Sequence, residues 1–354
     1  MNSHLPSERL IGLRAKVFHT TDGTIISRGC VEVRIAGEGA SNAIDLIFHA
    51  ASGEGQTIEE LCELFDSGSE PAVRALIQEL ITRRLLVSQP EAVDISSSNE
   101  THVDVFYWHF NTSQNKVRRQ LTELPIVIFG VNDISVTLVG SLWHAGIREM
   151  RVVDHPLARN QSYFKPGGKL NRELWTISIE PEEWLDPISA PSHGCIIGTS
   201  DSGADDLLCQ LNKYCLSKHC RFLPILLRDF IGYIGPLILP SETACYECVR
   251  SRQNSHLNLA SASMLRRSES VPSFHPSMAA ILGHMSALEL TRSFVDGLPK
   301  QPANSLVEID LLGRRMTDRT VLRVPRCSAC SSLLIKSQTN HRIKQGQEKS
   351  RALT

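Results

Sequence analysis

No run of about twenty apolar residues occurs in the 354-residue chain, which excludes a membrane-spanning helix by length alone. The first nine residues are polar and lack the apolar core of a secretory signal, so the cytoplasm is the expected compartment. An excess of one charge is missing too: 37 Lys and Arg stand against 38 Asp and Glu, a formal net charge of −1. That balance leaves no electrostatic footprint for nucleic acid. A complete glycine-rich phosphate loop is also absent, which removes the simplest route to binding a nucleotide.

Cysteine is not scarce: the chain has ten. Four of them form two C-x-x-C pairs, Cys245 with Cys248 and Cys327 with Cys330. Each pair can set two thiolates on one tight turn, and together they supply the four soft ligands of a closed tetrahedral zinc site. The gap of about eighty residues between the pairs means that the metal staples distant segments of one domain. A four-thiolate shell leaves no open position, so zinc here is read as structural. A redox pair is the weaker alternative, since neither motif opens a helix after a strand of βαβ type. Cys195, Cys209, Cys215 and Cys220 read as buried thiols rather than nucleophiles. His256, His275 and His284 read as ordinary polar or buried histidines.

Residues 88–101 are too polar to pack and read as a linker between two units. In the first unit, residues 15–19 and 24–27 flank Asp22-Gly23, a strong hairpin signal, and residues 30–35 alternate like a third strand. Three helices follow, over residues 40–51, from a capping box at Thr57, and over 71–85. A small sheet with three helices is a winged-helix pattern. The last helix has no base-reading polar face, so a peptide is the expected partner rather than DNA. It would be added as a strand to the edge at Val31, Val33 and Ile35, against Val73, Leu76, Ile77, Leu80 and Arg84 of the last helix.

The second unit opens with an apolar strand ending at Gly130, then a helix, then a strand ending at Asp154, which is a βαβ order. A phosphate-binding turn needs glycines where backbone approaches the ligand, yet the turn here reads Gly130-Val131-Asn132-Asp133. Val131 and Asn132 are expected to obstruct the phosphates and Asp133 to repel them. Further strands end at Asp201, at Leu227 and at Pro240, and a late helix is expected to bury Met278, Ile281, Leu282, Met285 and Leu288.

In this order of motifs, with the segment running from Gly235-Pro236 into the first cysteine pair, the chain resembles the ThiF-like, ubiquitin-activating-enzyme superfamily. The N-terminal unit resembles the RiPP recognition element, a winged-helix clamp for leader peptides. The resemblance implies an α/β fold: a doubly wound, Rossmann-type domain with structural zinc over residues 121–335, preceded by a small α+β winged-helix domain over 1–90. Residues 91–120 are expected to connect the two, and residues 336–354 to form a disordered tail. Adenylating members, including those of the microcin C type, carry a second acid after Asp154, where this chain has His155-Pro156. Gly130, Asp154 and Asp201 therefore read as a vestigial nucleotide site that is not expected to bind ATP. The implied function is a scaffold that binds a precursor's leader and delivers it to a YcaO-type cyclodehydratase for azoline formation, with a homodimer as the expected assembly. The alternative is a peptide adenylyltransferase with magnesium at Asp201.

Overall fold

The computed structural model describes residues 8–37, 39–95, 100–184, 194–255 and 272–331. The expected tail and His256 lie outside them. The chain separates into two compact units, residues 1–117 with 296–298 and residues 118–295 with 299–354.

The first unit is built around a three-stranded antiparallel meander of β2 (Lys16–Thr20), β3 (Gly23–Arg28) and β4 (Val31–Ala36). Gly23 sits at φ 152°, where a Cβ would stand 2.1 Å from the Ile35 carbonyl oxygen, so the Asp22-Gly23 signal reflects real crowding. A short strand β1 (Leu10–Gly12) pairs antiparallel with β5 (Leu86–Ser88). Helices α1 (Ala40–Ala50), α2 (Ile58–Cys62) and α3 (Glu70–Thr82) cover the sheet. The Thr57 hydroxyl accepts from the Glu60 N–H, and the Glu60 carboxylate accepts from the Thr57 N–H, the reciprocal box anticipated from sequence. Ile26, Ile44, Ile47, Leu61, Ile77 and Leu80 are fully buried at the centre.

Residues 88–95 and 100–101 depart from the expected linker, and 96–99 lie outside the described residues. Residues 89–95 form α4 (Gln89–Ile95), with Ala92 buried, and Thr101 caps α5 (His102–Trp108) through a box with Asp104. The reason is an ion pair that polarity alone hides. Glu100 pairs with Arg28, whose side chains are 8% and 2% exposed, and the Arg28 guanidinium lies 4.8 Å from the centroid of the Trp108 ring. Trp108 in turn donates from Nε1 to the Arg84 carbonyl, and Arg84 donates back to the Trp108 carbonyl at 2.6 Å. Paired charge at Glu100 holds the chain entering α5 to the body. The division between units falls instead within α6 (Gln114–Thr122).

The second unit is an eight-stranded sheet. It contains β6 (Ile126–Phe129), β7 (Met150–Asp154), β8 (Pro181–Glu183), β9 (Cys195–Ser200), β10 (Arg221–Arg228), β11 (Ile231–Ile234), β12 (Ser305–Asp310) and β13 (Arg315–Thr320). Their order is β13-β12-β11-β10-β9-β6-β7-β8, parallel from β10 through β8 and antiparallel from β10 through β13. β6 and β9 are buried at every residue, as continuous apolar runs in a parallel sheet should be. Helices α7 (Asp133–Ala145), α8 (Asp205–Lys218), α9 (Tyr246–Ser255) and α10 (Pro276–Phe294) pack in two pairs, α7 with α10 and α8 with α9. No helix among the described residues is long and apolar enough to cross a membrane.

Two expectations are corrected here. The strand expected to run to Pro240 stops at Ile234, because Gly235 turns the chain at φ 84° and Pro236 has no N–H for a ladder. The buried stripe of α10 is Ala279, Leu282, Gly283, Ser286, Ala287 and Leu290, whereas Ile281 and Leu288 are 44% and 47% exposed. Small residues choose the inward face. A Cβ on Gly283 would stand 2.0 Å from Thr137 Oγ1, so the close approach of α10 to α7 requires glycine and turns the larger side chains outward.

Replacing Glu100 with alanine strands the buried Arg28 charge. The expected loss is about 3–5 kcal/mol, read as a lower denaturation midpoint, with much of it restored in an Arg28→Met, Glu100→Leu double variant.

Candidate functional site

Cys245, Cys248, Cys327 and Cys330 are brought together from two distant segments, all buried, with their sulfurs within 4.8 Å of one another. The Cys245–Cys248, Cys245–Cys327 and Cys248–Cys330 sulfur separations are 3.8, 3.7 and 3.7 Å. A regular tetrahedron of sulfurs about 2.3 Å from a central zinc has edges of about 3.8 Å, so the four residues fit that ion. Second contacts hold the knuckles in place. The Ala244 N–H donates to Asn304 Oδ1 at 2.5 Å, Arg323 Nε to the Thr243 carbonyl at 3.0 Å, and the Val324 N–H to Cys248 Sγ at 3.4 Å. These contacts join the first knuckle to the segment that leads into the second. The remaining predicted thiols are buried as expected. Burial raises the Cys195 thiol and pushes Cys209 up to about 11, so neither is poised as a thiolate.

The strand order reverses between β6 and β9, and a doubly wound sheet offers its ligand crevice outside the strand ends at such a point. Gly130 leaves β6 at φ 119°, and a Cβ there would meet Thr199 Oγ1 at 2.5 Å. Val131 and Asn132 are both fully buried and do not project into the crevice as expected from sequence. Asn132 turns inward because its amide finds partners there, donating to the Ala158 carbonyl at 3.1 Å and to Thr199 Oγ1 at 3.1 Å. Its Oδ1 accepts from the Ser135 N–H at 3.1 Å and caps α7.

What fills the crevice rim is the chain between β7 and β8. Arg159 donates from Nε and Nη2 to the two oxygens of Asp154 at 2.9 and 2.6 Å, and lies 4.3 Å from the centroid of the Phe164 ring. The acid that ends β7 is thereby held by a bidentate pair. Asn160 donates to Asp201 Oδ2 at 2.8 Å, and the first N–H of α7, from Asp133, reaches the same oxygen at 3.4 Å. Tyr163 donates to Asp133 Oδ1 at 2.7 Å. Burial pushes the Asp201 carboxyl up to about 6 even though Asn160 opposes the shift, and burial together with the Asp133 bond raises the Tyr163 phenol. Arg159 and Asn160 echo, in sequence, the phosphate segment of the resembled family, whereas Tyr163 and Thr199 carry no local mark of the distant groups they meet.

In the first unit, Val33, Val73, Ile77 and Leu80 are core residues, with Val31, Ile35 and Leu76 half-buried against the same cluster. Arg84 stands apart, in the left-handed region at φ 57° and engaged by Trp108 and Glu91. β4 pairs on one side only, with β3, among the described residues. The pairing Arg28↔Val31, Ile26↔Val33 and Thr24↔Ile35 continues into a Gly37 N–H bond to the Asp22 carbonyl. Alternate residues of an antiparallel strand exchange bonds with the partner, so Glu32 and Arg34 direct their backbone N–H and C=O to the open edge.

No family model and no curated protein matches the sequence. The fold, however, is shared with solved structures. The E. coli protein MccB, crystallised with SeMet MccA, superposes with a TM-score of 0.65 at 17% identity over 91% of this chain and 100% of that one. MccB has also been solved with ATP. The heterocyclase TruD superposes with a TM-score of 0.58 at 17% identity, and a heterocyclase in complex with substrate and cofactor with 0.57 at 13%. Each of these covers 91% of this chain, which spans 43% and 39% of theirs. The doubly wound fold expected from sequence is therefore that of MccB and of the corresponding part of these heterocyclases.

Elemental analysis of the purified chain is expected to find one zinc per chain, with Cys327→Ser losing both the metal and several kcal/mol of stability. Asp201 provides a second check. Its carboxyl takes up its proton at a higher pH folded than unfolded, so the cost to folding builds as pH rises from the ordinary carboxylate range to about 6 and is complete above it. Asp201→Asn is thus expected to raise the melting temperature at pH 7.5, with the gain shrinking as pH falls from 6 toward 4. A constant gain across that range would contradict the burial argument.

Proposed function

We propose that this chain is a leader-peptide-binding scaffold of ribosomal peptide modification, which delivers a precursor peptide to a separate YcaO-type cyclodehydratase. The observation that carries the reading is the Asp154–Arg159 pair: the acid at the end of β7 is engaged by the chain's own arginine and is followed by His155-Pro156 in place of a second acid, while Asp201 is engaged by Asn160. A crevice whose acids are occupied from within has no simple place for Mg-ATP. The open edge of β4 supplies a different binding mode, in which an extended peptide bonds through its backbone and sets alternate side chains beside Val31, Ile35 and Leu76. The unit of residues 1–117 then acts as a winged-helix clamp of the RiPP recognition type. The likeness to MccB, seen with SeMet MccA, supports a precursor peptide as the partner, and the likeness to heterocyclases supports azoline formation as the reaction served.

On this reading the chain contributes proximity. A held leader keeps the core peptide at an effective concentration on the order of millimolar near the enzyme's active site. Zinc is structural, and ATP is consumed by the cyclodehydratase. The cytoplasm is the working compartment, and the chain pairs with a second copy through its larger unit. The rival reading is a peptide adenylyltransferase. The observation favouring it is that MccB, of the same fold, has been solved with ATP.

Fluorescence polarisation with a labelled leader, run beside calorimetric titration with Mg-ATP, separates the two. The scaffold requires leader binding without ATP binding, and tight Mg-ATP binding would make the chain an activating enzyme. Arg34→Pro removes an edge donor without touching the core, so leader affinity is expected to fall about tenfold. Unchanged affinity in the folded variant would rule out strand addition at β4.

A further inference from the structure

We infer that Arg252 and Arg323 form a latch that holds the second cysteine pair against the first, which makes them positioning residues for metal retention. The inference stands apart from the choice between scaffold and adenylyltransferase, since both readings leave the four cysteines where they are.

The two halves of the site are not equally anchored. Cys245 and Cys248 are fully buried, and α9, which carries Cys248, packs on α8. Cys327 and Cys330 are also buried, but on a segment whose Leu322, Pro325, Arg326 and Ser328 face solvent. Cys327 stands 82 residues beyond Cys245, so without other contacts a large loop would have to close each time the shell formed. The second pair is therefore the half that can leave, and whatever fastens its approach decides how long a metal stays.

Arg252, in the last turn of α9, donates from Nε to the Leu322 carbonyl at 2.6 Å and from Nη2 to the Arg323 carbonyl at 3.2 Å. A planar guanidinium fork spans adjacent carbonyls in a way that a point-like ammonium does not. Arg323 reciprocates, donating from Nε to the Thr243 carbonyl at 3.0 Å, two residues before Cys245. Thr243 is itself pinned, since its hydroxyl accepts from the Leu239 N–H at 2.8 Å. Asn304 adds a bridge between the same two stretches: its Oδ1 accepts from the Ala244 N–H, and its carbonyl accepts from the Val321 N–H at 2.9 Å. It does so at φ 64°, in the left-handed region that asparagine tolerates better than most residues. Each contact joins the surroundings of one cysteine pair to those of the other, and none runs through a sulfur. All of them can therefore persist when a thiolate lets go of the metal, which favours its return.

The test is the rate at which the zinc-loaded full chain gives up its metal to excess pyridylazoresorcinol, followed by the colour of the complex formed. Arg252→Ala and Arg323→Ala are each expected to speed release about tenfold, and the double variant little more than either, because the same latch is lost in each case. Arg252→Lys keeps the charge and loses the fork, so it is expected to release at close to the alanine rate. Wild-type retention in Arg252→Lys would overturn the latch in favour of charge alone. Leu138→Ala, in the buried face of α7 and outside the cluster that includes the cysteines, is expected to lower the melting temperature and leave release unchanged. Equal acceleration by Leu138→Ala would mean that the metal leaves through global unfolding and would also overturn the latch, as would wild-type rates in both alanine variants. A purified chain that holds no zinc and takes none up on titration would overturn the metal site and the latch with it.

Discussion

The buried amide of Asn132 is the constraint around which the larger unit is organised. Its Nδ2 group donates to the crossover at Ala158 and to the end of β9 at Thr199, while its Oδ1 accepts the α7 cap. One side chain thereby fixes the β6–α7 turn, the start of the β7–β8 crossover and the neighbouring strand. Fully buried polar groups are tolerated only when satisfied, so these positions must move together or not at all. At the base of the crevice this network holds the turn after β6, and no side chain of Val131 or Asn132 stands in its mouth.

The acids around the crevice follow the same rule. Asp154 and Asp201 are shielded from water, and each is stabilised by a donor from the same crossover, Arg159 for one and Asn160 for the other. Here the fold supplies a partner for each acid from its own chain. The first unit shows the opposite economy. Its ionic contacts, Arg28 with Glu100 and Arg84 with Glu91, lock α4 and α5 to the body, while the backbone of β4 is left with an open edge.

Much of this was legible in the sequence because its signals are local. The two C-x-x-C pairs announce their own chemistry, Thr57 and Glu60 form their box within four residues, and the apolar run ending at Phe129 is a buried strand whatever surrounds it. The misread places are those where a distant partner decides. Residues 100–101 look like part of a linker until Glu100 finds Arg28, and the apolar stripe of α10, right at Leu282, is wrong at Ile281 and Leu288 until Gly283 is seen against Thr137.

The sequence by itself determined most element types, the βαβ order, the cysteine ligand set and the absence of a glycine-rich loop, because each depends on residue type and spacing within a few turns of chain. Only the tertiary structure decided which acids are already paired, which face of α10 is inward and which strand edges stay open. Those outcomes depend on contacts between residues far apart in the chain, and burial rewards a charge or a glycine only where its partner arrives.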